Sequence, residues 1–222
     1  MSAPATAATA AFVGIGANLG NALETIEACL HVLDDTDGIE VADVSGVYET
    51  EPWGGVDDDG APRHVEDQEP YLNAVARLRT ALSPHELLDE LLATEAGFGR
   101  DRATEERWGP RVLDLDLLLH GDAVIDDAPR LVVPHPRLDQ RGFVLIPLLE
   151  VFPGGALPDG RRITRLLAAL APLSGIELML RLSDVPGAGG ALGISRPEGP
   201  RAPAAVQAPD WDAARPAPPV ER

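Results

Sequence analysis

The chain has 222 residues, of which 45% are apolar, and a formal charge of −18. That length suits one domain with a real core, whereas the acidity argues against nucleic acid or an anionic membrane surface as a partner, because both require a basic face. All 18 basic residues are Arg, which excludes mechanisms that need a phosphate-binding or Schiff-base Lys.

The single cysteine, Cys29, rules out an intrachain disulfide and a cysteine zinc cluster. It lies in an apolar helical run, where a buried side chain is expected. Residues 1–11 lack the basic start of a signal peptide, and no apolar run reaches membrane-spanning length. The expected location is the cytoplasm.

The first third of the chain predicts a strand, a helix and a second strand. Residues 12–16 form the first strand, and Asn21 caps a helix that runs to about Leu33. A strand follows at residues 39–49. The next loop has no apolar pattern at residues 57–63, so this part is expected to be mobile.

The middle of the chain continues with a strand at residues 71–78. Ser83, followed by Pro84 and Glu86, starts a helix that ends near Glu95. Further elements are predicted downstream: a strand at 111–119, a hairpin return at 122–125, a strand at 131–133, a helix at 141–150 that follows Asp139 or Gln140, a helix at 163–170 and a strand at 176–182.

From Asp184 onward the chain is rich in Pro, Ala and Gly. This composition predicts a disordered tail over residues 184–222, after a folded domain of residues 1–183. The order β-α-β-β-α-β within that domain predicts an α+β fold in which helices pack on an antiparallel sheet.

The strand at residues 111–119 carries Asp114 and Asp116, two residues apart and therefore on one face. Two carboxylates so placed repel by roughly 2 kcal/mol, a cost that a bound cation offsets. Their hard oxygens suit Mg²⁺, which commonly takes one or two carboxylates together with substrate phosphates. The alternative is a simply solvated sheet face.

Four arginines lie close to this pair in sequence and form a local cluster of positive charge in an acidic chain: Arg100, Arg102, Arg107 and Arg111. Ion pairing with Asp101, Glu105 and Glu106 neutralises part of that charge and is the competing explanation. Arginines that face metal-binding carboxylates are the arrangement required for phosphoryl transfer.

The segment E-R-W-G-P-R-V-L-D-L-D, residues 106–116, closely resembles the signature of the 6-hydroxymethyl-7,8-dihydropterin pyrophosphokinase family of folate biosynthesis. Other segments agree with that family in matching order: 14–20, 71–74, 133–137 and 141–143. The resemblance spans about residues 12–170. It implies a ferredoxin-like α+β fold (an α/β/α sandwich), ATP as co-substrate, two Mg²⁺ ions, and transfer of the β,γ-diphosphate to the pterin hydroxymethyl group with release of AMP.

The resemblance also implies roles for individual residues. Asp114 and Asp116 resemble the family's metal ligands, and Arg100 and Arg111 its catalytic arginines. Positions implied to hold ATP or its phosphates are Arg102, Arg107, Arg130, His135 and Arg141. Positions implied to bind or support the pterin are Thr50, Tyr71, Asn73, Glu95, Trp108 and Phe143, although core packing is an alternative for the three aromatic residues.

The sequence departs from the family pattern at three places. Ala17 stands where many relatives carry Ser, and Pro136 stands where an aromatic residue is common. The loop between Thr50 and Tyr71 is long and acidic, which should oppose an incoming triphosphate.

Two other functions remain as alternatives. Gly14, Gly16 and Gly20 follow a strand, with Glu40 about twenty residues later, which resembles a dinucleotide-binding fingerprint of an oxidoreductase. The third glycine is one residue late for that motif. A non-catalytic module that keeps the pocket is the other alternative, although mere binding would not require the two aspartates together with Arg100 and Arg111.

Overall fold

A computed structural model describes residues 8–56, 62–65, 68–102, 109–170, 173, 175–182 and 194–195. Its elements in chain order are β1 (Thr9–Ala17), α1 (Ala22–Asp34), β2 (Ile39–Val44), β3 (Val47–Thr50), β4 (Trp53–Val56), β5 (Pro62–His64), β6 (Tyr71–Thr80), α2 (Pro84–Gly97), β7 (Asp114–His120), β8 (Ile125–Asp127), β9 (Leu131–Val133), α3 (Gly142–Val151), α4 (Ile163–Ala169), β10 (Ile176–Leu182) and β11 (Ile194–Ser195). In these described ranges, no helix combines the length and apolarity that crossing a bilayer requires.

The main sheet is antiparallel and has the strand order β11-β10-β3-β6-β1-β7, with β2 also paired to β6. The central strand β1 places Ile15 opposite Ala74 of β6 and opposite Leu115 of β7. Taken with the helices, the order β1-α1-β2/β3-β6-α2-β7 is the β-α-β-β-α-β order expected from the sequence. The α+β, ferredoxin-like prediction is therefore confirmed.

Helices cover the two faces of this sheet differently. On one face, α1 and α2 bury an apolar cluster that includes Leu30, Leu91 and Ile15. On the other face, α3 and α4 bury a second cluster that includes Leu145 and Leu118. The second face of β1, β6 and β7 extends beyond the first turn of α3. In that part, the residues of these strands that point to this face are Gly, Asn and Asp instead of apolar residues.

Both predicted helix starts in the first half of the chain are confirmed. The Asn21 side chain accepts a hydrogen bond from the backbone N–H of Glu24. Ser83 and Glu86 form a capping box, in which the Ser83 hydroxyl accepts from the Glu86 N–H and the Glu86 carboxylate accepts from the Ser83 N–H. Local sequence therefore sets where α1 and α2 begin.

The single strand predicted at residues 39–49 is wrong, because the chain breaks into β2 and β3 at Ser45 and Gly46. The Ser45 hydroxyl accepts from the Val75 N–H, and the Gly46 N–H donates to a carboxylate oxygen of Glu150 at 2.7 Å. These side-chain contacts come from residues distant in sequence, which local periodicity does not register.

The predicted strand 111–119 begins only at Asp114. Alternation along this strand also predicts that the odd-numbered leucines all pack on one face, and this prediction is wrong at Leu119. Leu113, Leu115 and Leu117 pack toward α1 and α2, whereas Leu119 packs with Leu118 on the opposite face. The register of β7 against β1 shifts between Phe12 and Val13, so strict alternation stops there.

Three further boundaries differ from the sequence prediction. The hairpin return expected at residues 122–125 is instead β8, which pairs with β9 in a separate two-stranded sheet. Helix α3 begins after Arg141 without a side-chain cap, because the expected caps, Asp139 and Gln140, lie in a turn of 3-10 helix at Leu138–Gln140. The loop after Thr50 contains the hairpin β4–β5.

Parts of two sequence predictions lie outside the described residues. In the loop expected to be mobile, residues 57–61 are not described. In the expected tail, residues 184–193 and 196–222 are not described either, and Ile194 and Ser195 pair with Leu182 and Arg181 of β10.

Candidate active site

Two glycines of β1 form the floor of a cavity on the sheet face that α3 leaves uncovered. Gly14 pairs with Asp116 and Gly16 with Asp114, both on β7. A Cβ atom at Gly16 would lie 3.1 Å from the Asn73 Oδ1 and 3.9 Å from the Asp114 Cβ. The missing side chain thus leaves open space between the carboxylates of β7 and the amide of β6.

The cavity has a volume of about 260 Å³ and receives side chains from several elements. Its two ends lie on β3 and β7, which β6 and β1 separate in the sheet. Three strand spacings make this separation about 14 Å. The lining residues are Gly14, Ile15, Gly16, Thr50, Glu51, Pro52, Tyr71, Asn73, Ala74, Arg102, Arg111, Asp114, Asp116, His135, Arg137, Arg141, Phe143 and Val144.

The β7 end of the cavity is charged. The guanidinium group of Arg100 donates to Asp114 Oδ1 at 2.5 Å, and that of Arg111 donates to the same oxygen at 3.1 Å. Arg141 donates to Asp116 Oδ2 at 2.8 Å. Burial by itself raises the pKa of Asp114, but the charges of Arg100 and Arg111 outweigh burial and hold this pKa below its ordinary value. Asp114 is therefore ionised at neutral pH.

Glu95 of α2 lies beneath the charged end and does not line the cavity. Its side chain is 1% exposed and accepts hydrogen bonds from the Leu115 N–H, from Arg100 and from Arg102. Burial raises the pKa of Glu95, whereas these three donors oppose the rise. The geometry therefore gives Glu95 a supporting position, in which it holds Arg100 and the start of β7 from below.

His135 stands beside the second carboxylate, between β9 and α3. Its Nε2 lies 3.8 Å from Asp116 Oδ2, and its Nδ1 accepts a hydrogen bond from the Arg137 N–H. Burial lowers the pKa of His135, and the nearby charges of Arg141 and Arg137 add to this effect, while Asp116 opposes it. With Nδ1 accepting, neutral His135 carries its proton on Nε2, which faces the cavity.

The rest of the cavity carries hydrogen-bonding groups and aromatic rings. Asn73 donates from Nδ2 to the Thr50 hydroxyl at 2.7 Å, and both residues are buried. The Tyr71 hydroxyl donates to the Gly109 carbonyl at 2.9 Å, which ties its ring to the segment before β7. Phe143, in the first turn of α3, lies under the Arg141 guanidinium group at 5.8 Å. This part of the cavity suits a flat ring with polar edges.

Asn18 connects the segments that carry the site residues. Its Oδ1 accepts from the Arg111 N–H at 2.7 Å, and its own N–H donates to the Arg111 carbonyl. Its Nδ2 donates to the Glu69 carbonyl at 3.0 Å, two residues before Tyr71. Asn18 lies in the motif segment 14–20 and was not predicted as a site residue. Its amide can accept and donate at the same time, which joining two segments requires.

The structure brings together ten of the residues predicted from the sequence as lining of this one cavity: Thr50, Tyr71, Asn73, Arg102, Arg111, Asp114, Asp116, His135, Arg141 and Phe143. Arg100 and Glu95 lie directly beneath them. Arg130 is not among them, because it pairs with Asp89 of α2 at 2.9 Å on the surface. Arg107 and Trp108 lie outside the described residues.

Some lining residues were not predicted as site residues, and two family departures lie elsewhere. The eight lining residues without a predicted role are Gly14, Ile15, Gly16, Glu51, Pro52, Ala74, Arg137 and Val144. Most of them lie within or adjoin the motif segments quoted from the sequence, whereas Glu51 and Pro52 follow Thr50. Ala17 is buried in the cluster under α1, whereas the exposed Pro136 lines a separate cavity of about 190 Å³.

The arrangement of β1 argues against the dinucleotide-binding alternative. That motif requires a parallel strand–helix–strand unit, whereas β1 pairs in antiparallel fashion with both β6 and β7. Gly14 and Gly16 lie within the strand rather than in a loop at the start of a helix.

Comparison with known proteins agrees with this geometry. Residues 12–153 match the model of the family described as 7,8-dihydro-6-hydroxymethylpterin-pyrophosphokinase. The chain is 42% identical over 166 residues to the 2-amino-4-hydroxy-6-hydroxymethyldihydropteridine pyrophosphokinase of Pseudomonas aeruginosa, which covers 75% of this chain and 94% of that protein. The protein of that name from Methylorubrum extorquens is 40% identical over 169 residues, which covers 76% of this chain and 98% of its own.

Solved structures support the fold. A crystal structure of an HPPK-DHPS in complex with substrates matches with a TM-score of 0.60 and 12% identity over 86% of this chain. This chain spans about half the length of that protein, 48%. The chain belongs to the 7,8-dihydro-6-hydroxymethylpterin-pyrophosphokinase family.

Proposed function

We propose that the chain transfers the β,γ-diphosphate of ATP to the hydroxymethyl group of 6-hydroxymethyl-7,8-dihydropterin, with release of AMP, as a step of folate biosynthesis. The observation that carries this proposal is that one cavity has a charged end and a part lined by aromatic and amide side chains. Carboxylates and guanidinium groups line its β7 end, whereas Tyr71, Asn73 and Phe143 line the rest. One ligand with phosphates and another with a flat ring can therefore meet on the glycine floor between them.

The charged end fits Mg²⁺ bound together with a polyphosphate. Asp114 and Asp116 project from a hydrogen-bonded strand into the cavity, and their side chains are 29% and 31% exposed. Within the part of the chain that the structure describes, no group of three or more acidic, His or Cys side chains is arranged so that it could hold a metal ion by itself. Such a sparse ligand set suits Mg²⁺, which keeps water and phosphate oxygens as its other ligands. We propose that the two carboxylates hold two Mg²⁺ ions, which would neutralise phosphate charge and orient the diphosphate.

The arginines at this end have two different roles. Arg100 is 3% exposed and is held by both Glu95 and Asp114, so it acts as a fixed charge under the reacting groups. Arg111 and Arg141 are 21% and 12% exposed and line the cavity. We propose that these two turn from the carboxylates to phosphate oxygens when Mg-ATP is bound. There they would stabilise the charge that spreads over the transferred group.

In the part of the cavity away from the two aspartates, the chain orients the acceptor. Phe143 and Tyr71 offer aromatic rings to a flat heterocycle, and the Asn73 amide offers hydrogen bonds to its edge. We propose that this orientation directs the hydroxymethyl oxygen toward β7 and excludes water from the transfer.

The nucleotide product tests the proposal. Purified protein is incubated with Mg-ATP and 6-hydroxymethyl-7,8-dihydropterin, and the nucleotides are separated chromatographically. AMP in amounts equal to the consumed pterin is the expected result. ADP would indicate transfer of a single phosphoryl group, and unchanged ATP with normal pterin binding would indicate a non-catalytic binding module. Either outcome would overturn the proposal.

A further inference from the structure

The chain that enters β10 contacts two elements that bound the cavity. Ile176, the first residue of β10, pairs with Thr50 at the end of β3. Ile176 and Leu173 also pack against the apolar cluster under α3 and α4. Neither of these two described residues belongs to the lining of the cavity. They touch its walls from behind.

Gly142 is the point at which these two side chains meet α3. It is the first residue of that helix and is buried. A Cβ atom there would lie 2.7 Å from Leu173 Cδ2 and 3.2 Å from Ile176 Cδ1. Carbon atoms in favourable contact are about 3.5–4.0 Å apart. Leu173 and Ile176 therefore occupy the space that any side chain at position 142 would need.

The backbone of Gly142 does not itself require a glycine. The residue lies in a helix, where Ala is more favourable than Gly. The close approach of Leu173 accounts for the glycine instead. Because Arg141 and Phe143 are the two neighbours of Gly142 and both line the cavity, a contact that fixes Gly142 also fixes these two residues.

We propose that Gly142 and Leu173 are positioning residues of the active site. Their contact sets how closely the first turn of α3 approaches the end of β3, and it thereby places the Phe143 ring opposite Thr50. This inference rests on the proposed function and gives the segment before β10 a part in pterin binding, although that segment lies outside the cavity.

The test adds a methyl group at position 142 and then removes the side chain that the methyl group would meet. Gly142→Ala, Leu173→Ala and the double variant are compared with the wild-type chain. Gly97→Ala is the matched control, because Gly97 is also helical and a Cβ there would have no atom of the described residues within 4 Å. Calorimetric titration with the pterin, in the presence of Mg²⁺ and a non-hydrolysable ATP analogue, measures binding, and AMP release measures kcat.

Gly142→Ala should weaken pterin binding about 10-fold and lower kcat about 10-fold, because a misplacement near 1 Å has at least this effect in a positioned site. Leu173→Ala alone should weaken pterin binding about 3-fold, since the first turn of α3 loses its support. The double variant should return both quantities to within about 3-fold of the wild-type values, as expected for two residues in direct contact. Gly97→Ala should change neither quantity. A contact with a purely structural role would shift only the midpoint of urea unfolding.

Unchanged binding and kcat in Gly142→Ala, or a loss that Leu173→Ala does not restore, would overturn the positioning role. If Gly142→Ala does not fold, Leu173→Ala decides, and wild-type pterin affinity in that variant would overturn the inference. The proposed function is scored separately, by whether the wild-type chain forms AMP. Formation of AMP with no effect at Gly142 defeats only this inference, whereas absence of AMP with the expected binding pattern defeats only the function.

Discussion

The two faces of the sheet are built from the same strands, but the side chains that they present differ in polarity. Under α1 and α2, the cluster that includes Leu30 and Leu91 is apolar, and the charged side chain of Glu95 is buried beside it at the end of α2. Under α3 and α4, the apolar cluster stops at Leu118 and Val75, and the same strands continue as Asp116 and Asn73. The site exists because α3 starts only at Gly142 and leaves the ends of three strands uncovered. One face thus supplies stability, and the other supplies both stability and a reactive surface.

The largest expected effect comes from removing a charged side chain from the uncovered face of the sheet. Asp116→Asn should lower kcat about 1000-fold or more, because a metal site supplies several kcal/mol and each 1.36 kcal/mol is a factor of ten. Stability should fall by only about 1 kcal/mol, because the side chain is 31% exposed. Steady-state kinetics and urea unfolding measure both. Asp122→Asn on the surface is the control, and near-wild-type turnover of Asp116→Asn would refute the metal assignment.

Glu95 links the two faces, because it rises from α2 to hold Arg100 and the Leu115 N–H. Glu95→Gln should destabilise the protein by about 3–5 kcal/mol, since Arg100 loses one of its buried carboxylate partners. Activity should fall as well, because Arg100 is then misplaced. Urea unfolding is the measurement, with Glu90→Gln on the exposed side of α2 expected to stay within about 0.5 kcal/mol. A change at Glu95 as small as that of the control would mean that the cluster does not hold the site.

A matched pair of core substitutions compares the faces directly. Leu30→Ala and Leu145→Ala each remove a side chain that is 0% exposed, and each should cost about 2–5 kcal/mol of unfolding free energy. Leu145 follows Phe143 in the first turn of α3, so Leu145→Ala should also raise the KM for the pterin several-fold. Leu30→Ala should leave that KM unchanged at a temperature where both variants are folded. The opposite pattern would contradict the division of roles.

The last expected effect is absent at neutral pH and concerns Cys29, which is buried under α1. Burial raises the pKa of its thiol to about 12, so the native state keeps this proton at pH values where the unfolded chain loses it. Stability should therefore fall as pH rises from about 9 toward 12, by about 1.4 kcal/mol per pH unit. The chain has no Lys to obscure the slope. Urea unfolding of wild type and Cys29→Ala measures it, and an equal slope in Cys29→Ala would show that the thiol is not its source.

Much of the fold could be predicted where the determinants are local in sequence. The caps at Asn21 and Ser83 set the starts of α1 and α2, and alternation put Asp114 and Asp116 on one face. Features set by distant contacts could not be predicted. The break at Gly46 depends on the Glu150 carboxylate, and the switch of Leu119 to the other face depends on a register shift against β1.

The same distinction applies to the site. Motif residues such as Tyr71, His135 and Arg141 are brought to the cavity as expected. Glu95 and Arg130 are not on its wall, because each pairs with side chains that a linear motif does not identify as partners. Asn18 has its role only through hydrogen bonds to Arg111 and Glu69, which lie far along the chain.

The central claim is that one cavity has a phosphate end and a pterin end, and the KM for each substrate in two variants tests it most directly. Asn73→Ala should raise the KM for the pterin about 10-fold and leave the KM for ATP within about 2-fold. Arg141→Gln should show the reverse pattern, since its partner Asp116 lies at the β7 end. If both variants raise the KM of the same substrate, the division of the cavity into two ends is contradicted.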